Sequence, residues 1–170
     1  MAAPVWNTND VPTATDFNVW LTNVIAVVKP SLESVTSSTT LQDDNDLFLP
    51  GAINSTYWVE GLLITDGASG GDIKVAFQGP AGSSINIYFS GLTTSASLGS
   101  DDQVFLMEAL GTPGSFGTIA AADHRPLAFR GTFTVASTAG NLQLRWAQDT
   151  SSGTATRILA GSTMWMNRIV

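Results

Sequence analysis

Three aspartates, Asp43, Asp44 and Asp46, lie within one short stretch of a chain that is otherwise poor in charge. Clustered carboxylates can coordinate Ca²⁺ or carry acid/base chemistry. The stretch does not match an EF-hand loop, because apolar residues stand where that motif places its third ligand and its glycine. We therefore expect a solvated bend before a strand that begins at Leu47, and a weak cation site shared between subunits is the alternative.

The only histidine, His124, is the next candidate for chemistry. A catalytic triad requires a histidine between a nucleophile and an acid, whereas the surrounding AADHRPL predicts a loop that enters a strand. The chain has no cysteine, so a zinc site would have one imidazole and no thiolate, which does not match the usual ligand sets. We expect no catalytic residue, no metal and no cofactor.

Three further carboxylates fall at places that suggest structure more than catalysis. Asp66 and Asp72 flank a glycine-rich loop, which predicts a corner between two strands, with the glycines supplying positive φ. Glu60 lies inside the apolar segment YWVEGLLI, where a buried carboxylate is costly unless it is paired. Arg130 and Arg145 are the candidate partners on neighbouring strands.

Composition narrows the classes of partner. Charged residues make up 12% of the 170 residues and the formal net charge is −7, so a nucleic-acid-binding role is not expected, since phosphate binding needs clustered basic side chains. No apolar stretch approaches the 18 residues of a membrane span, and the N-terminus does not resemble a secretory signal. We expect neither nucleic acid nor membrane as a partner.

An amphipathic helix is predicted near the N-terminus. Its apolar side chains recur at helical spacing from Phe17 to Val28, Thr13 is a candidate N-cap, and Pro30 would end the helix. The apolar stripe must be buried, either on the chain's own β-domain or against copies or a partner. The predicted docking or oligomer interface consists of Trp6, Phe17, Trp20, Leu21, Val24 and Ile25.

The rest of the chain predicts β-strands. Segments such as 72–78, 84–89, 127–135 and 141–148 alternate apolar and polar residues, which is typical of half-buried strands. Tyr57–Thr65 and Thr163–Val170 are apolar on both faces, which suits central strands or strands covered by another subunit. About eight short strands joined by glycine-rich turns indicate an antiparallel β-sandwich or jelly roll. The predicted parts are an N-terminal arm and helix, 1–33, and a β-sandwich domain, 34–170.

Three stretches carry a resemblance to known proteins: SVTSSTTLQDDNDLFLPGAINSTYWVEGLLITDG, DIKVAFQGPAG and GNLQLRWAQDTSSGTATRILAGSTMWMNRIV. They resemble a β-domain of virion surface proteins from tailed phages that infect actinobacteria, described as head decoration, head fibre or minor tail proteins. The closing AGSTMWMNRIV is similar to the end of trimeric jelly rolls of the tumour-necrosis-factor or C1q type. The resemblance implies no catalytic residues, and it implies that the acid run is a strand-to-strand corner.

The function expected from this resemblance is that of a non-enzymatic virion structural protein, made in the host cytoplasm and assembled on the virion surface. The expected partners are other copies in a homotrimer and the major capsid protein or tail proteins. A compact domain with a short arm favours capsid decoration, with a minor tail or short tail-fibre protein that binds host-surface glycan as the alternative. An enzyme acting on cell-wall polysaccharide is the least supported class.

Overall fold

The computed structural model describes residues 24–95 and 103–169, and the helices and strands below are those of this part of the chain. It contains twelve β-strands and no helix, hence no helix that could cross a membrane. The strands are β1 Val24–Val28, β2 Glu33–Val35, β3 Gln42–Gly51, β4 Ser55–Asp66, β5 Ile73–Gln78, β6 Ser84–Leu92, β7 Gln103–Glu108, β8 Gly114–Phe116, β9 Arg125–Val135, β10 Gly140–Ala147, β11 Thr156–Ile158 and β12 Thr163–Arg168.

The strands form two antiparallel sheets that enclose one main core. The large sheet has eight strands: six follow the order β1-β12-β4-β9-β6-β7, β11 also pairs with β4, and β2 pairs with β11. The small sheet has the order β3-β10-β5-β8. The longest pairing joins β4 and β9, from Ser55 opposite Val135 to Thr65 opposite Arg125. The expected all-β sandwich is thus confirmed for the described residues.

The core lies where the inward-facing side chains of the two sheets meet. Phe77 of the small sheet packs edge-on against Phe129 of the large sheet, with ring centroids 5.0 Å apart, and it stacks on Phe89 at 5.9 Å. Trp146 is fully buried beside them in the same cluster. The alternation predicted for β5, β6, β9 and β10 is confirmed, because their apolar residues point into this core.

The predicted helix is wrong over its last turn. Residues 24–28 form β1, which pairs with β12 from Val24 opposite Asn167 to Val28 opposite Thr163. The sequence VIAVV satisfies the helical spacing, but its branched side chains also favour a strand, and pairing with β12 decides between the two. The remainder of the predicted helix, with Trp6, Phe17, Trp20 and Leu21, lies outside the described residues.

The correction changes where two predicted interface residues lie. Val24 is exposed on the outer side of the large sheet, whereas Ile25, its neighbour, packs against the main core. A helix would have put both on one face, but a strand places consecutive side chains on opposite faces. Residues 24–28 therefore belong to the sandwich, although the prediction assigned them to the N-terminal arm.

Candidate functional site

The acid run forms part of β3 and pairs internally with a lysine. The pairing of β3 with β10 is regular up to Phe48 opposite Gln143 and resumes at Asp43 opposite Arg145, so residues 44–47 bulge out of the ladder. This bulge turns the Asp44 carboxylate inward. Both of its oxygens accept hydrogen bonds from the Lys29 ammonium, at 2.8 and 3.0 Å, and neither side chain is exposed to solvent.

Two more carboxylates complete the shell around Lys29. Its Nζ donates to Asp46 Oδ2 and to Glu33 Oε2, each at 3.0 Å. Asp44 Oδ1 also accepts the backbone N–H groups of Asp46 and Leu47, at 3.0 and 2.9 Å, which holds the bulge in shape. Burial acts to lower the pKa of Lys29, but the bonds to the three carboxylates outweigh it and the pKa is raised.

The prediction of a solvated bend is therefore wrong for Asp44, because its carboxylate is buried and pairs with the Lys29 ammonium group. Within residues 24–95 and 103–169, no group of His, Asp and Glu side chains is arranged to hold a metal ion. Sequence reasoning missed Lys29, although it is the only basic residue before Lys74. That scarcity was the available signal, because Lys29 is the cation nearest to Asp44 in the sequence.

Asp66 is the second buried carboxylate, and it pairs with Arg157. Arg157 donates from Nε and Nη2 to the two Asp66 oxygens, each at 2.6 Å, and the backbone N–H of Ala122 adds a third bond at 3.1 Å. This pairing raises the pKa of Arg157, against a smaller effect of burial that lowers it. Such a bidentate pair fixes the end of β4 to β11.

His124 lies beside this pair but is not bound to it. Its Nε2 is 3.7 Å from Asp66 Oδ2, which is longer than a hydrogen bond, and 57% of the imidazole is exposed. His124 and Asp66 line a pocket of about 390 Å³, together with Arg157 and apolar side chains that include Leu32 and Leu159. Because Arg157 already occupies both carboxylate oxygens, Asp66 does not orient the imidazole as a catalytic dyad requires.

Asp72 adopts a φ of 46°, so here an aspartate takes the positive φ that the prediction assigned to glycines. Its Oδ1 accepts the backbone N–H of Thr118 at 2.9 Å. Burial raises its pKa to about 6, the bond from Thr118 works against this rise, and the nearby Asp149 charge adds to it. Because no basic side chain is among these interactions, the Asp72 carboxyl group is harder to ionise than that of an ordinary aspartate.

The outer face of the large sheet is the part of the described surface where large apolar side chains concentrate. We define this outer face by the side chains that point away from the core on β1, β12, β4, β9, β6 and β7. Met107 and Phe105 are 66% and 60% exposed there. The exposed large apolar residues of this face are Val24, Val28, Trp58, Leu62, Phe105 and Met107.

A shallow depression of about 250 Å³ lies near the centre of the outer face. Gly61 forms part of its floor, and a Cβ at this position would overlap the Phe129 ring beneath. Glu60 and Arg130 stand directly opposite each other in the β4–β9 ladder at its wall. The Arg130 guanidinium lies over the Tyr88 ring at 5.6 Å, and Tyr88 in turn stacks on Phe105 at 5.8 Å.

This geometry answers two sequence predictions. Of the two candidate neighbours for Glu60, Arg130 is the one beside it, whereas Arg145 is on the small sheet and pairs with Asp43 at 2.8 Å. Trp58, in the segment predicted as a central or subunit-covered strand, is 38% exposed on the outer face. The sequence did indicate that β4 is apolar on both sides, and the burial pattern of β4 confirms it. Exposed Trp58 and Leu62 are each followed by a buried residue, Val59 and Leu63.

Comparison with known proteins adds little to these observations. No family model matches the chain, and no curated protein matches it. One similar solved structure is described as "Structure of infectious bursal disease virus Gt strain", with 10% sequence identity and a TM-score of 0.20. The match covers 85% of this chain and 40% of that one, so the chain spans less than half of its length. A TM-score this low does not show a shared fold.

Proposed function

We propose that this protein is a non-enzymatic structural protein of a phage virion, and that it assembles as a homotrimeric jelly roll on the capsid surface as a decoration protein. One observation carries the assembly role: the outer face of the large sheet exposes apolar side chains from one edge strand to the other. Large apolar side chains concentrated on one face of a sheet indicate a protein interaction site. The sequence resemblance to phage virion surface proteins supports the virion as the place of this assembly.

The buried ionic side chains support the non-enzymatic part of this proposal. The groups that could carry acid/base chemistry at the two buried clusters are already paired: Lys29 with three carboxylates, and Asp66 with Arg157. A general base must be within reach of a substrate proton, and Asp44 and Asp66 have no solvent-exposed side-chain surface. These pairs hold strands together, which is a structural role.

A binding role in host recognition is the second candidate, and the aromatic side chains around the depression favour it. Trp58, Tyr88 and Phe105 lie on the same face as Glu60 and Arg130. Aromatic faces with adjacent hydrogen-bonding groups are suited to sugar rings. In this alternative the protein is a minor tail or short tail-fibre protein, and a glycan array probed with the full chain would give a saturable signal that Trp58→Ala abolishes.

The decoration role is tested by adding the purified full chain to mature capsids of the parent phage that lack it. We expect saturable co-sedimentation with the capsids and a rise in their melting temperature, because a ligand that binds only the assembled shell stabilises it. Purified tails serve as the competing target. Binding to tail-tip complexes together with no binding to capsids would overturn the decoration role in favour of the tail alternative.

A further inference from the structure

We propose that the outer face of the large sheet is a contact between copies of this chain, in which the β7 end of one copy packs against the β1 end of the next. The inference deepens the proposed function and rests on it for the number of copies, since a ring of three needs one such contact per neighbouring pair. It names the contact surface, which the homotrimer proposal alone leaves open.

The two ends of the outer face are apolar in different ways. At the β1 end, Val24 and Val28 are 53% and 61% exposed, and they present small branched side chains. At the β7 end, Phe105 and Met107 present large flat and flexible ones. Six strands separate the ends by about 24 Å at a strand spacing of about 4.8 Å. Two different patches at opposite ends of one face suit a head-to-tail contact, which forms a ring when the rotation between copies closes.

The backbone at both ends supports this arrangement. Among the described strands, β1 pairs only with β12 and β7 pairs only with β6, so each leaves one edge without a strand partner. An apolar edge strand is a site for further association unless something covers it. If the two ends meet in adjacent copies, the edges of β1 and β7 are both covered by the same contact.

Charge favours a second copy as the occupant. The formal net charge of −7 makes copies repel one another. The outer face avoids this repulsion, because its charged side chains, Glu60 and Arg130, stand opposite each other and cancel.

Residues at one height on the sheet allow a charge-swap test. Val28 and Phe105 lie in the same cross-strand row, through Thr163, Leu62, Ala128 and Ser90. A symmetry axis parallel to the strands keeps members of a row at one height, so Val28 of one copy would face Phe105 of the next. The variants are Val28→Lys, Phe105→Glu and the double variant, each made in the full chain.

Sedimentation equilibrium gives the mass of each variant, and thermal unfolding verifies that each one folds. We expect the wild type at a multiple of the 17.8 kDa chain mass, each single variant at the single-chain mass, and the double variant restored, because lysine then faces glutamate. Phe48→Lys is the matched control on the outer face of the small sheet, where Phe48 is 41% exposed, and it should keep the wild-type mass. Single variants that remain assembled, or a double variant that stays dissociated, would overturn the contact.

Hydroxyl-radical footprinting of the wild type avoids reliance on variants. Oxidation of Met107 should fall as protein concentration rises, in step with the mass. Protection of Met107 at concentrations where the protein is a single chain would mean that residues of the same chain cover it, and an unprotected single chain at about 100 µM would mean that copies do not associate; either result rejects the inference. A two-copy mass with charge-swap rescue would keep the contact and reject the trimer, whereas failure to bind capsids would leave the contact standing.

Discussion

The outer faces of the two sheets differ sharply although both sheets cover the same core. The large sheet exposes Trp58, Leu62 and Met107, whereas the small sheet exposes mainly polar side chains. On the small sheet, Arg145 pairs with Asp43 at 2.8 Å and Gln143 donates to the Asp44 carbonyl oxygen at 2.8 Å. The inward-facing side chains of both sheets fill the same core, so the two sheets differ in the polarity of their outward-facing side chains. The polar face suits solvent, and the apolar face suits another protein surface.

The Lys29 cluster joins the two sheets whose faces differ. Lys29 follows β1 of the large sheet, and Asp44 belongs to β3 of the small sheet. We expect Lys29→Met to lower the free energy of unfolding by about 3–5 kcal/mol, because it leaves the Asp44 carboxylate buried and unpaired. Chemical denaturation measures this loss, with the half-buried Lys74→Met as the matched control.

The double variant Lys29→Met/Asp44→Asn separates the charge from the packing. Replacement of the Asp44 carboxylate by a neutral amide should recover part of the lost stability, since most of the cost of Lys29→Met is a buried charge without a partner. A loss below about 1 kcal/mol for Lys29→Met alone would contradict the assignment of this cluster as the tie between the sheets.

Asp72, just before β5 in the small sheet, gives a pH dependence of stability that should leave assembly unchanged. Its pKa is about 6 in the folded protein, against 3.8 for an ordinary aspartate in water. The folded state therefore binds more protons between these values, and its stability falls as the pH rises from about 4 to about 6. The expected contribution of this group is on the order of 2 to 3 kcal/mol.

Asp72→Asn provides the control for this pH effect. Asparagine tolerates positive φ and keeps an oxygen for the Thr118 N–H. We expect the variant to be more stable than the wild type at pH 7 and to lose this component of the pH dependence in denaturation curves. An unchanged pH profile would mean that Asp72 ionises normally in the folded protein.

Leu62, on the outer face of the large sheet, connects stability to assembly. The melting temperature of the wild type should rise by a few degrees for each tenfold increase in protein concentration, because association stabilises the folded chain. Leu62→Lys should remove this concentration dependence, whereas Phe48→Lys on the small sheet should retain it. Differential scanning calorimetry at several concentrations measures both, and equal behaviour of the two variants would erase the proposed distinction between the faces.

Asp43 should give the smallest effect of all. Its side chain is 65% exposed in the pair with Arg145, and exposed ion pairs contribute little. We expect Asp43→Asn to change the free energy of unfolding by less than about 0.5 kcal/mol, whereas Asp44→Asn, one residue later, should be clearly more destabilising. Similar losses for the two variants in urea denaturation would contradict the different burial of these neighbours.

The strands were predictable because their pattern is local. In β5 and β10 the alternation of apolar and polar residues is visible in six to eight consecutive residues, and burial on one face enforces it. The helix prediction was wrong at β1 because five consecutive apolar residues fit both the helical and the strand period. Only pairing with the distant β12 decides between the two. In the segment 91–124, short strands β7 and β8 lie among glycine and serine residues that give little pattern.

The candidate site was less predictable because its contacts are distant in sequence. Lys29 reaches Asp44 across a bulge that no local pattern specifies, and Asp66 meets Arg157 from the far end of the chain. The sequence could not predict whether Trp58 is exposed or buried. A strand that is apolar on both faces fits a central strand and an interface strand equally. In both cases tertiary pairing supplies the missing information.

The most direct test of the account is the mass of the full chain by sedimentation equilibrium over a wide concentration range. We predict three times the 17.8 kDa of one chain, with loss of the assembly in Leu62→Lys and its retention in Phe48→Lys. A single-chain mass at every concentration would contradict the central claim, because the apolar outer face of the large sheet would then have no second copy to cover it.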